Sequence, residues 1–149
     1  MSIEYKTAPP DLAAKYIELR GQTRENAITP DVLRSIGITA ESWARDIKTG
    51  QTRGFIALSG AQVVGYGFGD TNTGEVLVLV VHPAYEGQGV GRRLLALLVE
   101  TLKGYGHARL FLGCSPDPSV RSHGFYRRLG WKSTGALDAH GDEVLALVE

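Results

Sequence analysis

The chain has 149 residues, 43% of them hydrophobic and 21% charged, which is the size and balance of one folded domain and excludes a disordered or fibrous segment. Sixteen Lys and Arg against sixteen Asp and Glu leave no net charge, which argues against a broad basic field for nucleic acid. The lone cysteine, Cys114, excludes an intrachain disulfide or a multi-thiolate metal site, and the longest apolar run, VLVLVV at 76–81, is far short of the roughly 20 residues of a membrane span. No basic stretch followed by an apolar one opens the chain. The expectation is a soluble, cytoplasmic, single domain over 1–149 with no nucleic-acid or membrane partner and no metal.

In chain order, residues 3–7 read as a short strand. The Ala8-Pro-Pro-Asp11 stretch is a stop-and-start signal, with Asp11 as a helix cap, and Leu12, Tyr16 and Leu19 then recur at helical spacing. A polar loop over 21–26 precedes two short helical pieces, 30–36 and 40–47, the second opened by Thr39 or Ser42. From Arg53 the period changes to that of strands, 54–59 and 62–69, joined by the Gly60-Ala61 turn. Residues 75–81 form a nearly continuous β-branched and leucine run, the pattern of a strand buried on both faces, which Pro83 ends. A helix over 91–103 carries Leu94, Leu98 and Leu102 on one stripe. Strand 108–112, helix 119–129 and strands 131–136 and 143–148 complete a mixed α/β order, with strand 75–81, helix and strand 108–112 forming one βαβ unit.

The stretch VVHPAYEGQGVGRRLL (residues 80–95) carries the most chemistry. A buried strand stops at a proline, Gly87, Gly89 and Gly91 fall on alternate positions, and an amphipathic helix starts at once. Glycines in such a turn let a ligand approach the backbone N–H groups closely. The helix N-terminus adds unpaired donors and the positive end of its dipole, so the turn suits a phosphate or pyrophosphate. Arg92 and Arg93 add charge, although cations there oppose the dipole. The turn is neither a P-loop, since no G-x-x-x-x-G-K-S/T occurs, nor a dinucleotide fingerprint, since Arg92 stands where the third glycine belongs.

These residues resemble motif A of the GNAT superfamily, the acetyl-CoA-dependent N-acetyltransferases. In that pattern Arg or Gln is followed, after two residues, by Gly-x-Gly or Gly-x-Ala, and the amides hold the pyrophosphate of coenzyme A. Mapped here, the glycines are Gly89 and Gly91 and the first position is Glu86, an acidic departure. A second segment, SVRSHGFYRRLGW (119–131), is similar to the family's F-Y-x-x-x-G-F/W, and Ser119 stands where many members carry an asparagine that contacts the coenzyme. The resemblance implies a single-domain, mostly antiparallel sheet with a central βαβ unit and helices on both faces. It implies an acetyl-CoA cosubstrate held by Val80, Val81, Glu86, Gly87, Gln88, Gly89, Val90, Gly91, Arg92, Ser119 and Tyr126.

On its residues alone Tyr126 is one more packing aromatic. The resemblance makes it the general acid, since a phenol of pKa about 10 can deliver a proton to a departing thiolate. An amine must also lose a proton, and Glu75, a carboxylate at the edge of an apolar strand, is the candidate base, unless it merely ends a hairpin after Asn72-Thr-Gly74. Its offset to Gly89 matches the base glutamate of the histone-acetyltransferase branch. On the acceptor side Arg20 and Arg24 are candidates to grip a carboxylate and Trp43 to wall the site, against a solvated loop of scattered charge. The comb of Gly65, Gly67 and Gly69 admits either a ligand or a packed helix. The expected function is acetyl transfer to a primary amine of a small molecule or a protein, by direct attack in a ternary complex. The alternative is a non-catalytic acyl-CoA sensor. The apolar final strand must be paired, covered or shared, which together with the family's habit leads to an expected homodimer.

Overall fold

The computed structural model describes residues 2–23 and 27–148. Twelve helices and strands follow one another as β1 (Glu4–Thr7), α1 (Ala13–Arg20), α2 (Pro30–Ser35), α3 (Ala40–Thr49), β2 (Thr52–Ser59), β3 (Gln62–Asp70), β4 (Val76–Val81), α4 (Val90–Gly104), β5 (Arg109–Cys114), α5 (Arg121–Arg128), β6 (Lys132–Leu137) and β7 (Glu143–Val148). Asp11 is not a cap. It lies inside a 3-10 turn, Pro10–Leu12, and α1 begins at Ala13 without a side-chain cap. The reason is local: Pro9 and Pro10 tighten the chain into that turn before a helix can start. Thr39 and Ser42 instead form a reciprocal capping box on α3.

The strands form a mixed, mostly antiparallel array in two parts, β1-β2-β3-β4 and β5-β7-β6. Among the described residues the strands of the two parts pair through a single parallel bridge, Glu75 to Phe111. Beyond it β4 and β5 diverge, and the edges that would face each other have no strand partner among the described residues. The central βαβ unit is β4-α4-β5.

Helices cover both faces of the first sheet. On one face Tyr16 of α1 and Trp43 of α3 pack with Tyr66 and Phe68 of β3 at ring-centroid distances of 5.2–5.7 Å. The Tyr66 hydroxyl donates to the Tyr16 carbonyl at 2.8 Å and the Tyr16 hydroxyl to the Pro9 carbonyl at 2.7 Å, so both buried phenols are satisfied. On the other face the leucine stripe of α4 fills the glycine comb of β3. A Cβ at Gly67 would meet Leu98 Cδ1 at 2.9 Å, one at Gly69 would meet Leu102 Cδ1 at 2.8 Å, and one at Gly65 would meet Leu94 Cδ1 at 3.2 Å. The comb therefore serves helix packing, and each of the three fully buried leucines contributes about 1.5–3 kcal/mol. Gly54 is tighter still: a Cβ there would collide with the Phe68 ring and approach the Gly67 carbonyl oxygen at 2.6 Å. Gly54→Ala is expected to cost at least about 1–3 kcal/mol, seen as a lower urea midpoint at unchanged m-value.

The apolar final strand, β7, lies between β5 and β6 and is paired along both edges. Its hydrogen bonds are met within the chain, so the physical reason for expecting a homodimer falls away. The exposed edge is β6, whose Lys-Ser-Thr-Gly-Ala-Leu sequence is mostly polar and exposed throughout.

Candidate active site

The divergence of β4 and β5 opens a cleft of about 1040 Å³. One wall is β4, the turn that follows it and the start of α4; the other is the end of β5 and α5. On the first wall β4 ends at Val81, and Pro83–Tyr85 forms a 3-10 turn capped by His82, whose Nδ1 accepts from the Ala84 amide at 3.1 Å. Gly87 and Gly89 follow at φ +76° and +83°, conformations that side chains rarely adopt. Nothing lies within 4 Å of a Cβ built on either, so the space beside both glycines is open. Helices α2 and α3 carry threonine caps, whereas α4 has Gly89 at its N-cap and no side-chain cap. Its first N–H groups are thus left to a ligand or water. Val80, Val81, Glu86, Gly87, Gly89, Val90, Gly91 and Arg92 all line the cleft.

Gln88 does not. Its amide turns back to the Ala84 carbonyl, 3.4 Å away, because φ > 0 at both flanking glycines swings the chain between them outward. Arg93 also leaves the site and lies 5.9 Å over the Tyr5 ring.

On the opposite wall Tyr126 sits between Phe125 and Trp131, with centroids 5.1 and 6.0 Å away in edge-on geometry. It is 9% exposed, lines the cleft, and its hydroxyl has no hydrogen-bond partner among the described residues. Burial, reinforced by the neighbouring Cys114, pushes its pKa above that of an ordinary phenol, so it keeps its proton. One turn earlier the buried Ser122 Oγ in the same wall has no hydrogen-bond partner among the described residues. Ser119 is on the lip, where its N–H and hydroxyl both donate to Asp117 Oδ1 at 2.9 and 2.8 Å, leaving the hydroxyl oxygen as an acceptor.

Glu75 falls just outside. The wall begins at Val76, and Glu75 belongs to the bridge that closes the narrow end of the cleft. Burial first, then the Asp70 and Asp138 carboxylates, raise its pKa above the usual carboxylate range. Arg20 reaches the cleft beside Thr23, Ala27 and Ile28, and burial pushes its guanidinium pKa down. Trp43 does not wall the site, because its indole is taken up by the aromatic cluster behind β3. Arg24 lies outside the described residues.

A model described as the acetyltransferase (GNAT) family matches residues 18–131. The chain belongs to the GNAT family. An uncharacterized N-acetyltransferase, ycf52-like, of Prochlorococcus marinus is 32% identical over 89 residues, 60% of this chain and 43% of that protein. The chain thus spans less than half the length of this curated relative. Among solved structures, the PaiA N-acetyltransferase of Thermoplasma acidophilum in complex with coenzyme A superposes with a TM-score of 0.76 at 20% identity, covering 100% of both chains. An N-acetyltransferase of Staphylococcus aureus Mu50 gives 0.78 at 15% identity over 99% of each chain. The ribosomal-protein-S18-alanine N-acetyltransferase of Escherichia coli gives 0.72 at 16% over 98% of this chain and 93% of that one. At these identities the likeness is one of fold.

Set against the GNAT motifs, the cleft holds residues that no local pattern announced. Asp142, from the β6–β7 turn, lines it, and the Asp138 carboxylate crowds Gly113, where a Cβ would meet Oδ2 at 2.5 Å. Arg121 and Arg128 join from α5. No group of three or more His, Cys, Asp or Glu among the described residues is placed to hold a metal ion, and no helix there is long and apolar enough to cross a membrane.

Proposed function

We propose that this GNAT protein transfers the acetyl group of acetyl-CoA to a primary amine of a small molecule by direct attack within a ternary complex. The observation that carries this reading is the cleft between β4 and β5. It has an uncapped, glycine-lined helix start on one wall and a protonated, unpartnered phenol on the other. The open space beside Gly87 and Gly89 in the cleft wall leaves room for a pyrophosphate, and the orphaned Ser122 Oγ fits a polar group of a ligand lying along the opposite wall.

In the reaction the amine lone pair forms the new C–N bond and the C–S bond breaks toward sulfur. Tyr126 gives its proton to the leaving thiolate, and the ammonium's proton passes to a carboxylate at the narrow end of the cleft. Because Glu75 lies one residue beyond the wall, it acts through water and not by direct contact. Asp142 and Asp138 make that end acidic, which favours a cationic amine over an anionic acceptor. The decisive experiment measures thiol release from acetyl-CoA over a panel of amines. Turnover on some of them is expected; tight acetyl-CoA binding with no turnover on any would make the chain a sensor.

The raised pKa of Glu75 sets a pH signature. Glu75→Gln is expected to lower turnover by about 10²-fold at neutral pH, and by less as pH rises and free amine accumulates. The native state also binds this proton more tightly than the unfolded chain does. Stability is therefore lost as pH rises from the ordinary to the raised pKa, and the neutral Gln side chain avoids that loss. A pH–rate profile parallel to wild type would remove Glu75 from the proton path.

A further inference from the structure

The phosphate-facing mouth of the cleft contains an apparent mistake. Glu86, on the same loop as the glycine amides, puts a carboxylate in the cleft wall where an anion is to bind. The Glu86 side chain is 19% exposed, so the charge is not simply turned out into water. Its partner comes from the other wall: Arg121 Nη1 donates to Glu86 Oε1 at 2.9 Å, across 35 positions of sequence. Arg121 is the first residue of α5, where a cation opposes the helix dipole, so helix stability does not explain its placement. Nor does a bond between partly exposed charges add much to the fold. A guanidinium carries five N–H donors in a fixed planar fork, a geometry that suits carboxylate and phosphate oxygens alike.

We propose that Arg121 is a binding residue for the phosphates of the acyl donor and that Glu86 is its positioning residue, holding the guanidinium across the cleft mouth. This rests on the acetyl-CoA reading above. In this chain the cation is delivered from α5, not from the glycine loop, and the loop contributes the anchor. Arg92, also in the wall, is the second cation at the mouth, so the mouth stays net positive in spite of Glu86.

The sign of one substitution separates anchoring from repulsion. Were Glu86 only a misplaced charge, Glu86→Gln would tighten coenzyme A binding. As an anchor, its loss weakens binding although a negative charge has been removed. By calorimetry with coenzyme A, Arg121→Ala is expected to weaken affinity about tenfold or more, with partial recovery in Arg121→Lys. Glu86→Gln should weaken it several-fold, and the double variant should be no worse than Arg121→Ala alone. In turnover, KM for acetyl-CoA rises while kcat holds. S-acetylpantetheine, which lacks the nucleotide phosphates, should be used equally well by wild type and variants. With 3′-dephospho-coenzyme A a persisting loss assigns Arg121 to the pyrophosphate, and a vanishing one assigns it to the 3′-phosphate. Tighter binding by Glu86→Gln, unchanged affinity in Arg121→Ala, or an equal loss with S-acetylpantetheine overturns the proposal. Failure of the wild-type chain to bind coenzyme A at all would instead overturn the acetyl-CoA reading.

Discussion

Tyr126→Phe is expected to lower turnover by about 10²–10⁴-fold with acetyl-CoA affinity nearly unchanged. The substitution keeps the ring, and with it the edge-on contacts to Phe125 and Trp131, and removes only the hydroxyl. That hydroxyl makes no hydrogen bond among the described residues, so its loss leaves no buried partner unsatisfied and the fold should be indifferent. A burial-raised pKa keeps the proton on Tyr126, where the hydroxyl can donate it to the charge that develops on the departing sulfur. Steady-state kinetics with an accepted amine, beside a binding isotherm, tests this. A Phe variant that turns over at the wild-type rate ends the role.

Gly89→Val is the second large effect, with coenzyme A binding expected to disappear. At φ +83° a β-branched residue costs about 1–3 kcal/mol in backbone strain, and its methyls would fill open space in the cleft at the start of α4. The two contributions can be separated. Gly135, in β6, has the same φ of +83° and the same open surroundings but does not line the cleft. Gly135→Val should lower the melting temperature comparably and leave binding intact. Calorimetry showing wild-type affinity in Gly89→Val would mean that the pyrophosphate is not held there.

The features that sequence made readable are those encoded locally. The strand before Pro83, the alternating glycines and the leucine stripe each depend on neighbours within a few positions, and all three are found where expected. What escaped depends on distant partners. Trp43 was open to a role in the site until Tyr16, Tyr66 and Phe68, contributed by two other elements, surrounded it. Asp138 and Asp142 have no motif; the return of β7 between β5 and β6 carries their turn to the cleft. Glu86 looked unfavourable because its counterion is 35 residues away. Glu75 is the instructive intermediate case: its strand was clear, but a boundary of one residue decides whether its carboxylate is in the wall or behind it.

The single bridge between Glu75 and Phe111 bears on how the molecule holds together. Four strands stand on one side of that joint and three on the other, linked besides by the core they share with α4, by the crossovers and by the Glu86–Arg121 ion pair at the cleft mouth. The three-stranded side ends in a strand exposed at every position, so it belongs to the softer part of the structure, where local opening is cheapest. A molecule lodged against both walls supplies the rungs missing from this interrupted ladder. Occupancy then ties the two halves into one cooperative unit and raises resistance to unfolding by RT ln(1 + [L]/Kd). The opening that makes room for chemistry also makes this protein's rigidity a property it shares with its substrate.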